Sequence, residues 1–234
     1  MKNSKNSFTE AAHSLDIIDK MYMRWNCKWP KFMSFDQTVS WFKEKELIKQ
    51  SIWNEILSSP GKLHIRFDGF ESGNGVIFFD DIVHFFENGN QVKSAFRINQ
   101  SLLLGFDVYH QEPSITRDKI KKLGIDLSKQ YEIEDEEGRL NLVIGTTDSL
   151  DVKSPQFWID KDALYLTRVI VDHDKHTDIF FKNYEMIANF PVATKIIFEI
   201  DNELAMVEEY FNIRFLEDID EAIFLQDNFE KVRW

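Results

Sequence analysis

The strongest constraint on the fold is a series of alternating segments in the second half of the chain. From Ser154 to Phe215, apolar residues recur at every second position, as in TDIFFKNYEMI and ATKIIFEIDNELAMVEEYFNIRF. A period of two places the apolar side chains on one face of an extended chain, which is typical of half-buried antiparallel strands. The links between these segments are short and polar, so we expect them to be hairpin turns.

The first half of the chain continues the pattern after Trp29-Pro30. Residues 35–41 and 48–56 alternate and predict a hairpin, and Pro60-Gly61 turns the chain into a third strand over 63–67. The segment VIFFDDIVHFFE is interpreted as one strand that contains Asp80 and Asp81. A further hairpin is expected around Glu136-Glu137-Gly138.

Two helices are predicted beside the strands. The first covers residues 7–26, begins with a capping box of Ser7 and Glu10, and buries residues spaced three and four apart: Phe8, Ala11, Leu15, Ile18, Tyr22 and Trp25. The second is short; we expect Thr116 to cap it, Ile120 and Leu123 to be buried, and Gly124 to end it.

The predicted fold is mainly β (α+β): a single open, curved antiparallel half-barrel of about ten or eleven strands, with helices covering its concave face. We expect residues 1–6 to be a flexible lead-in and residues 7–234 to form a single domain. The chain has 234 residues, of which 43% are hydrophobic and 14% aromatic, enough for a substantial core.

Charge and hydropathy exclude several classes of protein. A formal net charge of −12 repels phosphate backbones, so no nucleic-acid partner is expected. No stretch approaches the ~20 apolar residues that span a bilayer, so no stable membrane insertion is expected. The start, MKNSKNSFTEAAHSL, lacks the apolar core of a secretory signal. The protein is then either not exported by such a signal, or is a mature form that begins with an added methionine.

Four segments carry a resemblance to a known family. They are SPGKLHIRF, LLLGFDVYHQEPSITRDKIKKLGIDLS, GRLNLVIGTTDSLDVKSPQFWID and the continuation QFWIDKDALYLTRV. In content and order, over roughly residues 10 to 230, they resemble the LolA-like lipoprotein-sorting family of bacterial carriers. The resemblance implies a curved sheet with helices in its mouth and a cavity that holds acyl chains.

The implied function is that of a periplasmic carrier, which holds acyl chains of a lipoprotein or lipid for transport to the outer membrane. Its implied partners are those acyl chains, an inner-membrane release complex and an outer-membrane acceptor. No catalysis, cofactor or metal is implied. The alternative is a module of the same fold that senses lipoproteins or lipids or binds another protein. A hydrolase for a hydrophobic substrate would need a catalytic geometry that the sequence does not show.

Alternation also predicts which residues face the cavity. The inward set is Val39, Trp41, Ile52, Leu63, Ile65, Phe67, Phe198 and Ile213. Each of these could equally be ordinary core. By the same resemblance, a strand cation bonds the covering helix and controls release. Arg66 is the nearest candidate, although it alternates onto the face opposite Leu63 and Phe67; otherwise it is a solvated strand arginine facing an acidic residue.

Catalytic and metal-binding patterns are weak. His64, His84 and His110 have no nucleophile motif beside them, and no phosphate-binding Gly-rich loop occurs. Within a strand, Asp80 and Asp81 would point to opposite faces and could not cooperate as acid and base. The loop VDHDKHTD contains metal-ligating residue types in a spacing that fits no metal-binding pattern, so we expect a polar hairpin tip.

Overall fold

A computed structural model describes residues 15–172 and 175–234, and its dominant element is one antiparallel sheet. The strand order is β6-β5-β4-β3-β2-β1-β13-β12-β11-β10-β9-β8-β7. The strands are β1 (Phe32–Lys43), β2 (Glu46–Ser58), β3 (Lys62–Phe67), β4 (Asn74–Phe79), β5 (Ile82–Glu87), β6 (Asn90–Phe96), β7 (Gln130–Glu134), β8 (Leu140–Ile144), β9 (Gln156–Asp160), β10 (Leu166–Asp172), β11 (His176–Ile187), β12 (Phe190–Ile200) and β13 (Glu203–Leu216). The predicted mainly β fold is confirmed.

The chain begins the sheet at its centre. It runs outward from β1 to the edge strand β6, crosses through helices to the opposite edge strand β7, and returns inward to β13, which pairs with β1. Most pairings are therefore hairpins between consecutive strands, as the short polar links predict. The pairing of β1 with β13 joins the two halves.

The sheet has thirteen strands, more than the ten or eleven expected. The segment read as one strand is in fact β4 and β5, which pair through a turn at Asp80 and Asp81. Both residues have positive φ, 48° and 65°, as a tight hairpin turn requires. The prediction that these carboxylates lie within a strand was wrong. The hairpin around Glu136-Glu137-Gly138 is confirmed, between β7 and β8.

The sheet is strongly curved. Val83 of β5 and Phe181 of β11 line the same cavity although six strands separate theirs in the sheet order. Neighbouring strands lie about 4.8 Å apart, so on a flat sheet these residues would be about 34 Å apart. The halves must therefore bend toward each other, and the concave face between them is where a cavity can form.

Three helices lie on the concave side: α1 (Ile17–Trp25), α2 (Gln100–Gly105) and α3 (Pro113–Lys122). Asp16 caps α1 in a capping box with Asp19, whereas the predicted box of Ser7 and Glu10 lies outside the described residues. In α3, Pro113 occupies the first turn and Thr116 is buried inside the helix, so Thr116 is not its cap. Pro favours the first turn because its missing N–H is unbonded there anyway.

Each face of the sheet is covered in part. On the concave side, α1, α3 and a helical turn at Asp107–Tyr109 pack against β8 to β12. On the convex side, the C-terminal segment, residues 217–234, packs over β2 to β5 in a separate cluster. Among the described residues, no helix has the length and apolar character needed to cross a membrane.

Candidate functional site

The concave side of the sheet contains a cavity of about 300 Å³. Strands β1 to β5 and β11 to β13 form its floor and walls, and the segment from Arg97 to Phe106, which contains α2, bounds its remaining side. The volume is at the lower end of the range for small-molecule sites. The lining is mainly apolar and includes Phe35, Trp53, Leu57, Leu63, Ile65, Phe67, Val76, Phe78, Val83, Phe85, Leu102, Phe106, Phe181, Ile196, Phe198 and Met206.

The cavity continues toward the helices. A small extension of about 30 Å³ shares Phe106, Phe181, Ile196 and Tyr210 with the main cavity. Trp29 and Tyr109 of the helical side line this extension, and their rings lie 4.8 Å apart. An apolar ligand that extends from the main cavity toward the helices would therefore contact the rings of Trp29 and Tyr109.

Four of the residues predicted to face inward line this cavity: Leu63, Ile65, Phe67 and Phe198. Leu63, Ile65 and Phe67 alternate along β3, and they pair with Leu57, Glu55 and Trp53 of β2. Whether they contact a ligand stays a prediction.

Three further residues of the predicted inward set lie near the cavity. Ile213 packs against the cluster that lines it. Trp41 packs on Trp53, with ring centroids 5.6 Å apart, and Val39 is fully buried opposite Glu208 of β13.

Ile52 does not face the cavity. It pairs with Thr38, which alternates with the inward-facing Gln37 and Val39, and it is 43% exposed on the convex face. The inward residues of β2 are instead Ser51, Trp53, Glu55 and Leu57, by their pairing with the inward side of β1 and β3. The sequence pattern misled because the outer face of this strand carries isoleucines while its inner face includes the polar residues Ser51 and Glu55.

The floor of the cavity contains an unexpected polar group. Glu55 on β2, Gln37 on β1 and Glu208 on β13 lie on three adjacent strands and are 5%, 1% and 8% exposed. Gln37 Nε2 donates a hydrogen bond to Glu55 Oε1 at 2.6 Å, and the Tyr210 hydroxyl donates to Glu208 Oε2 at 3.4 Å. We call these four residues the polar floor.

Burial dominates the electrostatics of the polar floor. It raises the pKa of Glu208 to about 8. Burial, followed by repulsion from Glu208, also raises the pKa of Glu55 well above its usual value. A carboxylate without a cation in an apolar site favours its protonated form, and two adjacent ones cannot easily both ionise.

A buried aspartate, Asp107, anchors the segment from Arg97 to Phe106 that bounds the cavity, which we call the helical wall. Asp107 accepts hydrogen bonds from the Ser59 hydroxyl at 2.7 Å and from the Gly61 N–H at 3.0 Å. Lys119 of α3 pairs with Asp81 in the β4–β5 turn at 2.7 Å. The SPGK and GFDVY segments are therefore in direct contact. This contact joins the helices to the turn after β2, and the Lys119–Asp81 pair joins them to the turn after β4.

Arg66 lies on the convex face, away from the cavity and the three helices. It is fully buried, and its guanidinium donates to the backbone oxygens of Phe229, at 2.5 Å, and Phe70. Its Cζ lies 4.2 Å from the ring centroid of Phe229. The alternative of a solvated arginine is wrong. A gating role for Arg66 stays a prediction. Through these contacts, Arg66 would act on the C-terminal segment.

The remaining candidate residues are dispersed. His64 is buried beneath the C-terminal segment, with Nδ1 2.8 Å from the Ile223 oxygen. His84 on β5 forms a hydrogen bond with Ser94 on the neighbouring strand β6. In the histidine- and aspartate-rich loop, residues 173 and 174 lie outside the described part, and Asp178 is already paired with Arg168. Within the described residues, no group of three or more metal-ligating side chains is assembled.

Sequence reasoning missed two parts of the site: the polar floor and the wall formed by α2. The available signal for the first was the run Trp53, Glu55, Leu57, in which a carboxylate takes an inward position between two apolar residues. For the second it was the three leucines before Gly105, which are too short a run to predict a helix by periodicity.

Comparison of the fold with solved structures finds close architectural likenesses. A DUF1329 family protein from Desulfovibrio piger matches with a TM-score of 0.58 at 14% identity, over 91% of this chain and 96% of the other. A LolA superfamily protein from Nitrosomonas europaea matches with a TM-score of 0.53 at 11% identity, over 92% and 99%. A putative outer membrane lipoprotein-sorting protein domain from Vibrio parahaemolyticus matches with a TM-score of 0.53 at 14% identity, over 92% and 97%.

These likenesses show the fold: the chain shares its architecture with LolA superfamily, lipoprotein-sorting and DUF1329 family proteins. At the level of sequence, no protein-family model matches the chain, and a search of curated proteins finds no match. The fold that the resemblance implies is therefore confirmed.

Proposed function

We propose that this protein is a non-catalytic carrier that holds acyl chains of a lipid or lipoprotein in its concave cavity, in the periplasm, for delivery to the outer membrane. The observation that carries the proposal is the apolar cavity of about 300 Å³ between the curved sheet and α2. The shared fold with a lipoprotein-sorting domain supports it. Delivery would involve a release complex at the inner membrane and an acceptor at the outer membrane.

The physical basis is the exchange of one apolar contact for another. Leu102 and Phe106 of the helical wall help to cover the concave face. An acyl chain that enters the cavity removes its own apolar surface from water, which stabilises the complex by about 0.8 kcal/mol per buried methylene. Binding requires no chemical step, so the cavity can load and release a chain reversibly.

The alternative is a sensing or interaction module of the same fold. It would use the concave face to recognise a protein or lipid without transporting it. Such a module would not need to release its ligand to an acceptor membrane, and the transfer assay below separates the two.

The first test is native mass spectrometry of freshly purified protein, followed by solvent extraction and identification of bound molecules. We expect co-purified acyl chains, and transfer of a loaded chain to acceptor vesicles. Bound lipid without transfer would favour the sensing module. A protein that neither retains acyl chains nor takes them up from vesicles would contradict the proposal.

A matched pair of variants places the ligand. Ile65→Glu puts a charge on the cavity wall, whereas Ile52→Glu puts the same charge on the exposed convex face. We expect Ile65→Glu to lose acyl retention and Ile52→Glu to keep it, with circular dichroism to check that both variants fold. Equal retention in the two variants would place the ligand elsewhere.

A further inference from the structure

The polar floor is an unusual feature for a cavity that is otherwise apolar. Buried polar groups are normally hydrogen-bonded, and buried carboxylates are normally paired with a cation. Glu55, Glu208 and Tyr210 all line the cavity, so whatever occupies it lies against them.

The hydrogen-bond inventory of the polar floor has an excess of acceptors. When both carboxyl groups are ionised, they and the amide oxygen of Gln37 offer five acceptor oxygens, whereas the donors recorded among these groups are Gln37 Nε2 and the Tyr210 hydroxyl. Gln37 Oε1 is buried without a hydrogen-bond partner in the described part of the chain. In the state with both carboxyl groups ionised, the missing component is a donor; a protonated carboxyl group supplies one O–H itself.

A positively charged donor would also neutralise the two carboxylates in their ionised state. Among the described residues, neither Glu55 nor Glu208 forms a salt bridge with a lysine, arginine or histidine. Arg97, also in the cavity lining, is exposed and lies on the segment that leads into α2. Burial shifts the pKa of both carboxyl groups upward, repulsion from Glu208 raises the pKa of Glu55 further, and a bound cation would favour the ionised form of both groups.

We infer that the ligand of this cavity carries a protonated amine, which binds between Glu55 and Glu208 while its hydrocarbon chain lies along the apolar wall formed by β3 and β4. An ammonium group has three N–H donors and no acceptor, which matches the acceptor oxygens of the two carboxyl groups that line the cavity. The inference rests on the proposed function, because it assigns the head group of the same ligand.

The test compares binding of dodecylamine, dodecyltrimethylammonium, dodecanol and dodecanoate at about pH 7, where an alkyl amine is protonated. Displacement of a fluorescent apolar probe from the intact protein reports binding. We expect dodecylamine to bind about ten to a hundred times more tightly than dodecanol, since hydrogen bonds to charged groups are stronger than neutral ones. Dodecyltrimethylammonium, which has no N–H, should lose most of this advantage.

The variants E55Q and E208Q, singly and together, keep side-chain size while removing the charge. We expect the double variant to lose the preference for the amine and to keep its affinity for dodecanol. E209Q is the matched control, because Glu209 is exposed on the other face and pairs with Lys195. If the double variant does not fold, the ligand series on the unaltered protein still decides the question.

The outcomes separate the two proposals. Binding of dodecanol or dodecanoate as tight as that of dodecylamine would overturn the amine inference and leave the carrier proposal standing. An amine preference that survives in the folded double variant would also overturn the inference. Failure to bind any of the four amphiphiles would contradict both.

Discussion

Single residues on the convex face show how this sheet uses polar side chains as anchors. Arg66 reaches two backbone oxygens of separate segments and stacks on Phe229. A fork with several donors can bond two carbonyls at once, which a solvated strand arginine would not need to do. The contact ties β3 to the C-terminal segment.

Replacement of Arg66 by alanine should destabilise the protein strongly. The substitution leaves the Phe229 and Phe70 oxygens without their donor and opens a cavity beside Phe229, for which we expect a loss of about 3 kcal/mol in unfolding free energy. Arg214→Ala, on an exposed residue of β13, is the control and should change stability by less than about 0.5 kcal/mol. Urea denaturation measures both, and equal midpoints would show that the anchor contributes nothing.

His64 gives the convex face a defined response to acid. Burial lowers the pKa of His64 to about 4, from a model-peptide value near 6.5. As the pH falls from about 6.5 to 4, His64 therefore becomes protonated in the unfolded chain while it stays neutral in the folded chain. The stabilisation by neutral His64 is complete above that window and is lost within it.

The difference in unfolding free energy between the protein and its His64→Gln variant isolates this effect, because Glu55, Glu208 and Asp107 have raised pKa values and act in the opposite direction. We expect the difference to be constant above about pH 6.5 and to fall by at most about 1.4 kcal/mol per pH unit below it. Denaturant titrations across this range measure the difference. A constant difference down to about pH 4 would mean that His64 is not shielded from water.

At the scale of elements, Asp107 connects the helical wall to the turn that follows β2 by two hydrogen bonds. Asp107→Ala removes the acceptor of the Ser59 hydroxyl and the Gly61 N–H. We expect a loss of about 2–3 kcal/mol and faster hydrogen exchange in α2 and α3, with little change in β8 to β12. Asp118→Ala, an exposed change on α3, is the control. Uniformly faster exchange would show that the wall does not open as a unit.

The elements also show what the sequence could and could not predict. Alternation located β1, β2 and β3 and placed Leu63, Ile65 and Phe67 on the inner face, because those strands bury one apolar face each. It failed at Ile52, since a rule based on apolar residues assigns polar ones such as Glu55 to the outside. The polar floor forms only when three strands come together, two of them far apart in the chain, so a local pattern such as Trp53, Glu55, Leu57 can indicate only one of its members.

Turn residues were the other source of error. Asp80 and Asp81 follow four apolar residues and precede two more, and in a continuous apolar run they resemble two neighbouring strand residues on opposite faces. Their positive φ values come from the hairpin, which aspartate tolerates better than most residues. One missed turn added a strand and changed the direction of both carboxylates.

At the scale of the whole molecule, the cavity decides between a carrier and an imperfectly packed domain. A protein selected only for stability would fill 300 Å³ of apolar space, whereas a carrier keeps it and accepts the lower stability. Val76 of β4 lines the cavity and is nearly buried, so Val76→Phe adds volume where space is available. Val92→Phe is the control, because Val92 of β6 is 53% exposed.

We expect Val76→Phe to raise the stability of the ligand-free protein by about 1 kcal/mol, or about 2–4 °C in melting temperature, and to reduce acyl-chain retention. Val92→Phe should change neither quantity. Differential scanning calorimetry after delipidation, together with the extraction assay, measures both. A destabilised Val76→Phe variant would mean that the cavity walls have no spare volume in solution. Higher stability with unchanged retention would mean that acyl chains bind outside this cavity, so the two quantities must move in opposite directions if the cavity is the binding site.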